Sequence, residues 1–232
     1  MILPSITTTN GSPKVTSWQE KVAEIDKLGL KRIALFPTCL EEPERQKLYK
    51  TLEATNLRAI PFVHLRGDMP PQELDYLIKR WGTKVFNIHT QKRHSLFYDY
   101  SKYKDMIYIE NGWPGVDEQE VHGFAGLCID FSHLENDRLL NKQLYKDTIK
   151  AVQKYSIGCN HISSILKESF NDVMGYEVYA AHYSENLSEF DYLKKYPKKY
   201  FSKYIAIELE NSLQDQLKII NYIEKELYKT AL

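Results

Sequence analysis

Six short runs end in a side chain able to ligate a cation: Val63-His64, Ile88-His89, Ile109-Glu110, Ile129-Asp130, Asn160-His161 and Ile207-Glu208. In Gly126-Leu127-Cys128-Ile129-Asp130-Phe131-Ser132-His133 an apolar stretch delivers an acid, and a histidine follows three residues later. Carboxylates and imidazoles gathered in one place suit a hard or borderline divalent cation such as Mn²⁺, Mg²⁺, Zn²⁺ or Fe²⁺. Such a cation can polarise carbonyl, hydroxyl or phosphoryl oxygens and stabilise the charge that develops on them. One acid at the end of one run carries little weight. The same kind of residue at the ends of successive runs is a pattern.

Residues this far apart can meet only if the runs are parallel strands whose C-terminal ends face one way. The expected strands are residues 2–8, 32–37, 58–65, 84–89, 106–110, 126–130, 156–162 and 203–208. Helical patterns fall between them. One begins near Trp18, capped by Thr16 or Ser17 and stopped by Gly29; others cover 42–55, 68–81 (stopped by Gly82), a turn over 117–122, a long helix over 138–155, and 213–227. Ser188 with Asp191 resembles a capping box. Residues 93–104 suggest a short helix, Asn10-Gly11-Ser12-Pro13 a loop, and 163–187 an irregular stretch extended only at 176–179. Strands alternating with helices predict a parallel sheet. Eight such units in 232 residues predict a closed barrel. The expected fold is therefore α/β, a single-domain (β/α)8 TIM barrel over residues 1–232, its first unit weakened by Pro4. No Gly-x-Gly-x-x-Gly follows a strand, so a dinucleotide fold loses its main support.

The balance of 31 basic and 31 acidic residues argues against a general nucleic-acid binder, which carries a basic field. Cys39, Cys128 and Cys159 form no CxxC motif and are expected to be buried free thiols. No apolar stretch approaches the roughly 20 residues of a membrane span, and the first residues lack a basic segment followed by a long apolar core. The expectation is a cytoplasmic protein with a small-molecule substrate and no membrane partner; a homo-oligomer is left open.

Four stretches carry a resemblance: Ile107-Tyr108-Ile109-Glu110-Asn111, Cys128-Ile129-Asp130-Phe131-Ser132-His133, Asn160-His161-Ile162-Ser163 and Ile205-Ala206-Ile207-Glu208. In order and spacing the chain resembles the xylose isomerase-like (β/α)8 superfamily, which groups sugar isomerases and epimerases with the endonuclease IV type of apurinic-site nuclease. The resemblance implies that Glu110, Asp130, His161 and Glu208 hold the principal metal. It places His133 beside that metal, against substrate or a further ion. His64 and His89 stand where the nuclease branch holds a second zinc together with Glu110, and His182 stands where that branch has an Asp-x-His. Ala180 replaces the acid of that motif, which puts a full third site in doubt. Glu210 shares a strand face with Glu208, and the preceding Ile205-Ala206-Ile207 favours Glu208 as the ligand.

The leading expectation is a metal-dependent isomerase or epimerase of a small sugar or sugar phosphate. Glu110 and Glu208 would trade a proton through an enediolate, with His133 also in the catalytic group. The alternatives are a metal-dependent phosphodiester hydrolase and a non-catalytic ligand-binding barrel. Arg66, Lys92, Arg93, Trp113 and Glu210 are candidate substrate contacts. Asp68, His94 and Tyr183 are weaker ones, and His122 reads as structural.

Overall fold

The computed structural model describes residues 1–9, 11, 15–172 and 174–228. Of the loop expected at Asn10-Gly11-Ser12-Pro13, only Gly11 is among them. The N-terminal strand is split by Pro4 into β1 (Ile2–Leu3) and β2 (Ser5–Thr7). The units that follow are α1 (Trp18–Lys27), β3 (Arg32–Phe36), α2 (Glu42–Glu53), β4 (Ala59–His64), α3 (Pro71–Trp81) and β5 (Val85–Ile88). Then come β6 (Ile107–Glu110), α4 (Glu118–Gly123), β7 (Leu127–Asp130), α5 (Phe131–Leu140), α6 (Lys142–Lys154) and β8 (Ile157–Ile162). The chain continues through β9 (Ser164–Asn171), β10 (Glu177–Ala181), β11 (Tyr204–Ile207) and α7 (Leu213–Tyr228).

β1 pairs in parallel with β11, β2 pairs with β3, and every intervening strand pairs in parallel with its neighbours. Because β1 and β2 are two halves of one extended segment, the sheet closes into the expected α/β barrel. The two halves close it differently. Below Pro4, Ile2 and Leu3 lie in register with Ile205 and Ala206. Above it, side chains replace the missing ladder. The Gln216 amide accepts from Ser5 N (2.7 Å) and donates to Ser5 O (3.1 Å) and Leu209 O (3.1 Å). Lys21 Nζ donates to Leu209 O (2.9 Å) and Thr7 O (3.4 Å). Burial pushes the Lys21 ammonium down to about 7, against the pull of Glu210 and Glu24.

The structure has two apolar cores. One lies between the strands and the surrounding helices. The other fills the barrel and comprises Leu3, Ala34, Phe36, Phe62, Val85, Cys128, Cys159 and Ala206, with Tyr108 and Tyr204 packed against it. Side chains of a strand alternate faces, so the residue two positions beyond each of these also points inward. That second layer is His64 after Phe62, Asn87 after Val85, Glu110 after Tyr108, Asp130 after Cys128, His161 after Cys159 and Glu208 after Ala206. The barrel floor is thus apolar and its upper layer polar.

Several expectations are corrected. The helix expected over 138–155 is two, α5 and α6, which meet at Asn141; the Asn141 side chain accepts from Leu144 N and caps the second. α5 starts at Phe131, directly after β7, because Asp130 is its N-cap. The stretch 163–187 holds the antiparallel hairpin β9–β10. Ser188 does not cap a helix: residues Leu187–Lys195 form a 3-10 helix preceded by Asn186, which makes no side-chain cap bond. A 3-10 helix, Ser101–Met106, also stands in place of the helix suggested over 93–104. At α1, Ser17 is the cap and Glu20 reciprocates. Cys128 and Cys159 are buried free thiols, but Cys39 is exposed. Among the described residues no helix is long and apolar enough to cross a membrane.

Two outcomes follow from this packing. A Cβ on Gly158 would lie 2.0 Å from the Tyr108 ring. Gly158→Ala should lower stability by about 1–3 kcal/mol in denaturant unfolding, and Tyr108→Leu should relieve it; an additive double variant would refute that packing. Lys21 binds a proton more readily unfolded than folded between pH 7 and its ordinary range. Folding is therefore penalised below about pH 7 and recovers as pH rises. Relative to Lys21→Met, the wild type should gain about 3 kcal/mol between pH 7 and 9.5; a flat difference would contradict a cation held in the seam.

Candidate metal centre

The Asp130-x-x-His133 spacing is that of a helix cap and the third residue of its helix. Asp130 Oδ1 accepts from His133 N (2.9 Å) and from Ser132 Oγ (2.5 Å). These bonds occupy one carboxylate oxygen and leave Oδ2 aimed into the barrel mouth. Asn111, at the end of β6, holds the Asp130 backbone from the other side: its Oδ1 accepts from Asp130 N (2.6 Å) and its Nδ2 donates to Asp130 O (3.0 Å). Asp130 is fully buried.

Glu110 is the hub. Its Oε2 accepts from Asn87 Nδ2 (2.6 Å) and lies 3.1 Å from His64 Nε2 and 3.7 Å from His161 Nδ1. Its Oε1 lies 3.6 Å from His89 Nε2 and 3.9 Å from His133 Nε2. His161 Nδ1 is also 3.1 Å from Glu208 Oε2 and 3.8 Å from Asp130 Oδ2. Below it, Phe36 and Phe62 pack on the His161 ring at centroid distances of 4.9 and 5.4 Å.

Three donor sets emerge, each with its ligand atoms within 4.8 Å of one another: His64–His89–Glu110, Glu110–Asp130–His133 and Asp130–His161–Glu208. Two ligand atoms each about 2.1 Å from a tetrahedral ion stand about 3.4 Å apart, so these spacings suit shared cations. The chemistry of the donors agrees. Asp130 Oδ2 and both ring nitrogens of His161 are buried with no hydrogen-bond partner. Buried polar atoms of this kind normally find one. His64 Nδ1 donates to Leu65 O (2.8 Å), which turns Nε2 toward Glu110. A backbone bond to the far nitrogen is the usual way a ligating imidazole is oriented.

The electrostatics point the same way. Burial alone raises Glu110, but His89 and His161, with bonds from His64 and His89, hold it well below the ordinary carboxylate range. Burial likewise opposes His133 and His161 at Asp130, and His182 and His161 at Glu208; in both the imidazoles prevail and the acid stays ionised. Burial pushes His89 down to about 4, against Glu110, so at neutral pH it offers the lone pair a metal requires.

The predicted site residues divide into three kinds. Glu110, Asp130, His161, Glu208, His64, His89 and His133 converge. His182 does not join a donor set: its Nδ1 lies 3.3 Å from Glu208 O and 3.4 Å from Ser163 Oγ. Glu210, also buried, joins no donor set and accepts from Gly11 N (2.8 Å), while its own N–H donates to His182 O. Of the candidate substrate contacts, Arg66 is held by Asp68 (2.8 Å), Glu41 (3.0 Å) and Thr38 O (2.7 Å), and Lys92 by Asp117 (2.8 Å). Trp113 is exposed in the loop after β6. His94 stacks near His89 at 5.1 Å, and His122 bonds Tyr155 on the outer surface. Tyr183 lines a separate cleft with Ser184 and Asn211. Asn87, Asn111 and Ser132 were missed because asparagine and serine near strand ends have no distinctive spacing.

The chain's fold is shared with solved structures. It matches the IolI protein, solved at 1.8 Å with a bound zinc atom, with a TM-score of 0.50 and 13% identity over 98% of each chain. It also aligns with an uncharacterised protein from Parabacteroides distasonis at a TM-score of 0.44 and 16% identity, over 96% of this chain and 98% of the other. No protein-family model and no curated protein sequence matches the chain. At this identity the likeness shows the fold. Together the fold and the site define an α/β barrel whose C-terminal mouth carries metal-ligand donors.

Asn111→Ala would remove both bonds that hold the Asp130 backbone. It should lower cation affinity about 10–100-fold while the barrel still folds. Calorimetric titration with Mn²⁺ measures this, and wild-type affinity would show that Asn111 does not position the ligand.

Proposed function

We infer that this chain is a divalent-metal-dependent enzyme of the xylose isomerase-like kind that hydrolyses a phosphoester, using two adjacent cation positions that share Glu110. The supporting observation is that both Glu110 oxygens are already engaged by Asn87 and a ring of imidazoles. A carboxylate so placed serves better as a bridge than as a base for carbon-bound protons. This moves the weight from the isomerase expected from sequence to the hydrolase.

Divalent ions bound there would polarise phosphoryl oxygens and supply a water of lowered pKa. The protein's own part can be read from its contacts. His64, His89 and Glu110 would hold one ion, and Asp130, His161 and Glu208 the other, with Glu110, 3.7 Å from His161 Nδ1, placed to serve both. Asn87 and Asn111 fix the bridging and capping carboxylates. Phe36 and Phe62 close the floor against water. His133, partly exposed, presents Nε2 at the edge of both sets, where it can hold a proton for a departing oxygen.

Isomerisation or epimerisation of a small sugar is the second reading. It is favoured by Glu110 and Glu208 both lying against His161 Nδ1, so that an acid and a base could face one substrate. Elemental analysis and turnover of chromogenic phosphoesters separate the two. The hydrolase should hold at least two ions per chain. His64→Ala should lose one ion and most of its turnover, about 100-fold or more. Glu208→Ala should lose the other ion. One ion per chain, with phosphoesters untouched and a sugar interconverted, would favour isomerisation instead.

A further inference from the structure

Three basic side chains follow His64, which ends β4, and His89, just after β5, and their surroundings distinguish them. Arg66 and Lys92 are neutralised by their own acids. Arg93 is exposed, and its guanidinium has no acidic partner among the described residues. Its position is set by the loop. Thr90 O accepts from Arg93 N (2.9 Å) and His94 N (3.1 Å), forming a turn. Gln91 N donates to Glu120 on α4 (3.1 Å), and Lys92 pairs with Asp117, the α4 cap, so the turn is pinned at two points. The pinned turn directs Arg93 across the site. A Cβ built on Gly112 would lie 3.4 Å from Arg93 Nη1 and 3.8 Å from His133 Cδ2. Guanidinium and imidazole therefore flank the same spot, two residues beyond Glu110.

We propose that Arg93 is the anion-recognising residue of this site and that the substrate is a small phosphate ester bearing a single phosphate. The proposal rests on the phosphoester reading and narrows it. A guanidinium fork matches two phosphate oxygens at once. Its neighbours His89, His94 and His133 supply no negative charge, so a substrate must provide it. A nucleic-acid backbone would need several free cations along its path. Here the other two cations near the mouth are already paired, leaving one fork for one phosphate.

The test uses inorganic phosphate as the probe. Calorimetric titration of the Mn²⁺-loaded protein is run on the wild type, Arg93→Ala, Arg93→Lys and Lys150→Ala, a control on the outer surface of α6. Manganese content and thermal unfolding are measured for each. Arg93→Ala should weaken phosphate binding at least about 10-fold with manganese content unchanged. Arg93→Lys should recover only part of the loss, because an ammonium keeps the charge without the fork. Lys150→Ala should bind as the wild type does. Unchanged phosphate affinity in Arg93→Ala, or no phosphate binding by the wild type, would overturn the assignment. If phosphate binds through Arg93 but no phosphoester is cleaved, Arg93 stands and the hydrolase reading falls.

Discussion

Glu110, Asp130 and Glu208 are buried within 4 Å of a single imidazole nitrogen, His161 Nδ1, and that concentration of negative charge governs the rest of the mouth. Three carboxylates taken out of water repel one another unless positive charge is placed among them. The fold surrounds them with imidazoles from β4, α5, β8 and the loop after β5, and that loop adds Arg93 at the rim. Asn87 donates to Glu110 and Ser132 to Asp130, while Asn111 holds the Asp130 backbone. Asp130 Oδ2 and both ring nitrogens of His161 remain without a hydrogen-bond partner. That is the condition a divalent cation satisfies and a hydrogen-bond network does not.

The barrel can carry this polar layer because its lower layer is apolar and closed. Phe36, Phe62, Cys128, Cys159 and Ala206 form the floor, so the charged groups sit at one end of the barrel. Alternation along each strand links the two layers. Shifting a strand by one residue would turn its ligand outward and place a core residue in the mouth. Site and core are therefore specified by the same register.

That shared register explains what could be read from the sequence. His64, Glu110, Asp130, His161 and Glu208 were legible because each ends a run whose length and composition mark a buried strand. The hairpin β9–β10 was not legible: Lys167, Glu168 and Ser169 interrupt any alternation, and the strands lie largely at the surface. α5 was started too late because β7 passes into it with no loop, and a cap that also faces the donor cluster reads only as a strand-end acid. The fates of Arg66, Lys92 and Arg93 were not legible for a different reason. Their charges are identical in sequence, and only the tertiary placement of Asp68, Glu41 and Asp117 decides which of them is free.

The seam at Pro4 shows how the barrel closes without a continuous first strand. Proline has no N–H, and beyond it β2 leaves β11, opening a gap on the side of the barrel nearest Glu208. Gln216 fills part of that gap with a neutral amide that copies a backbone ladder on both its donor and acceptor sides. Lys21 fills the remainder with a cation, and Leu209, whose carbonyl it binds, adjoins Glu208. A charge is the costlier choice for a purely structural bridge in a buried position. Glu210 and Glu24 supply part of the offset, since their negative charge favours the ammonium and partly compensates its burial. One neutral and one charged side chain thus meet on the same Leu209 carbonyl, which ties closure of the barrel to the residue that follows Glu208.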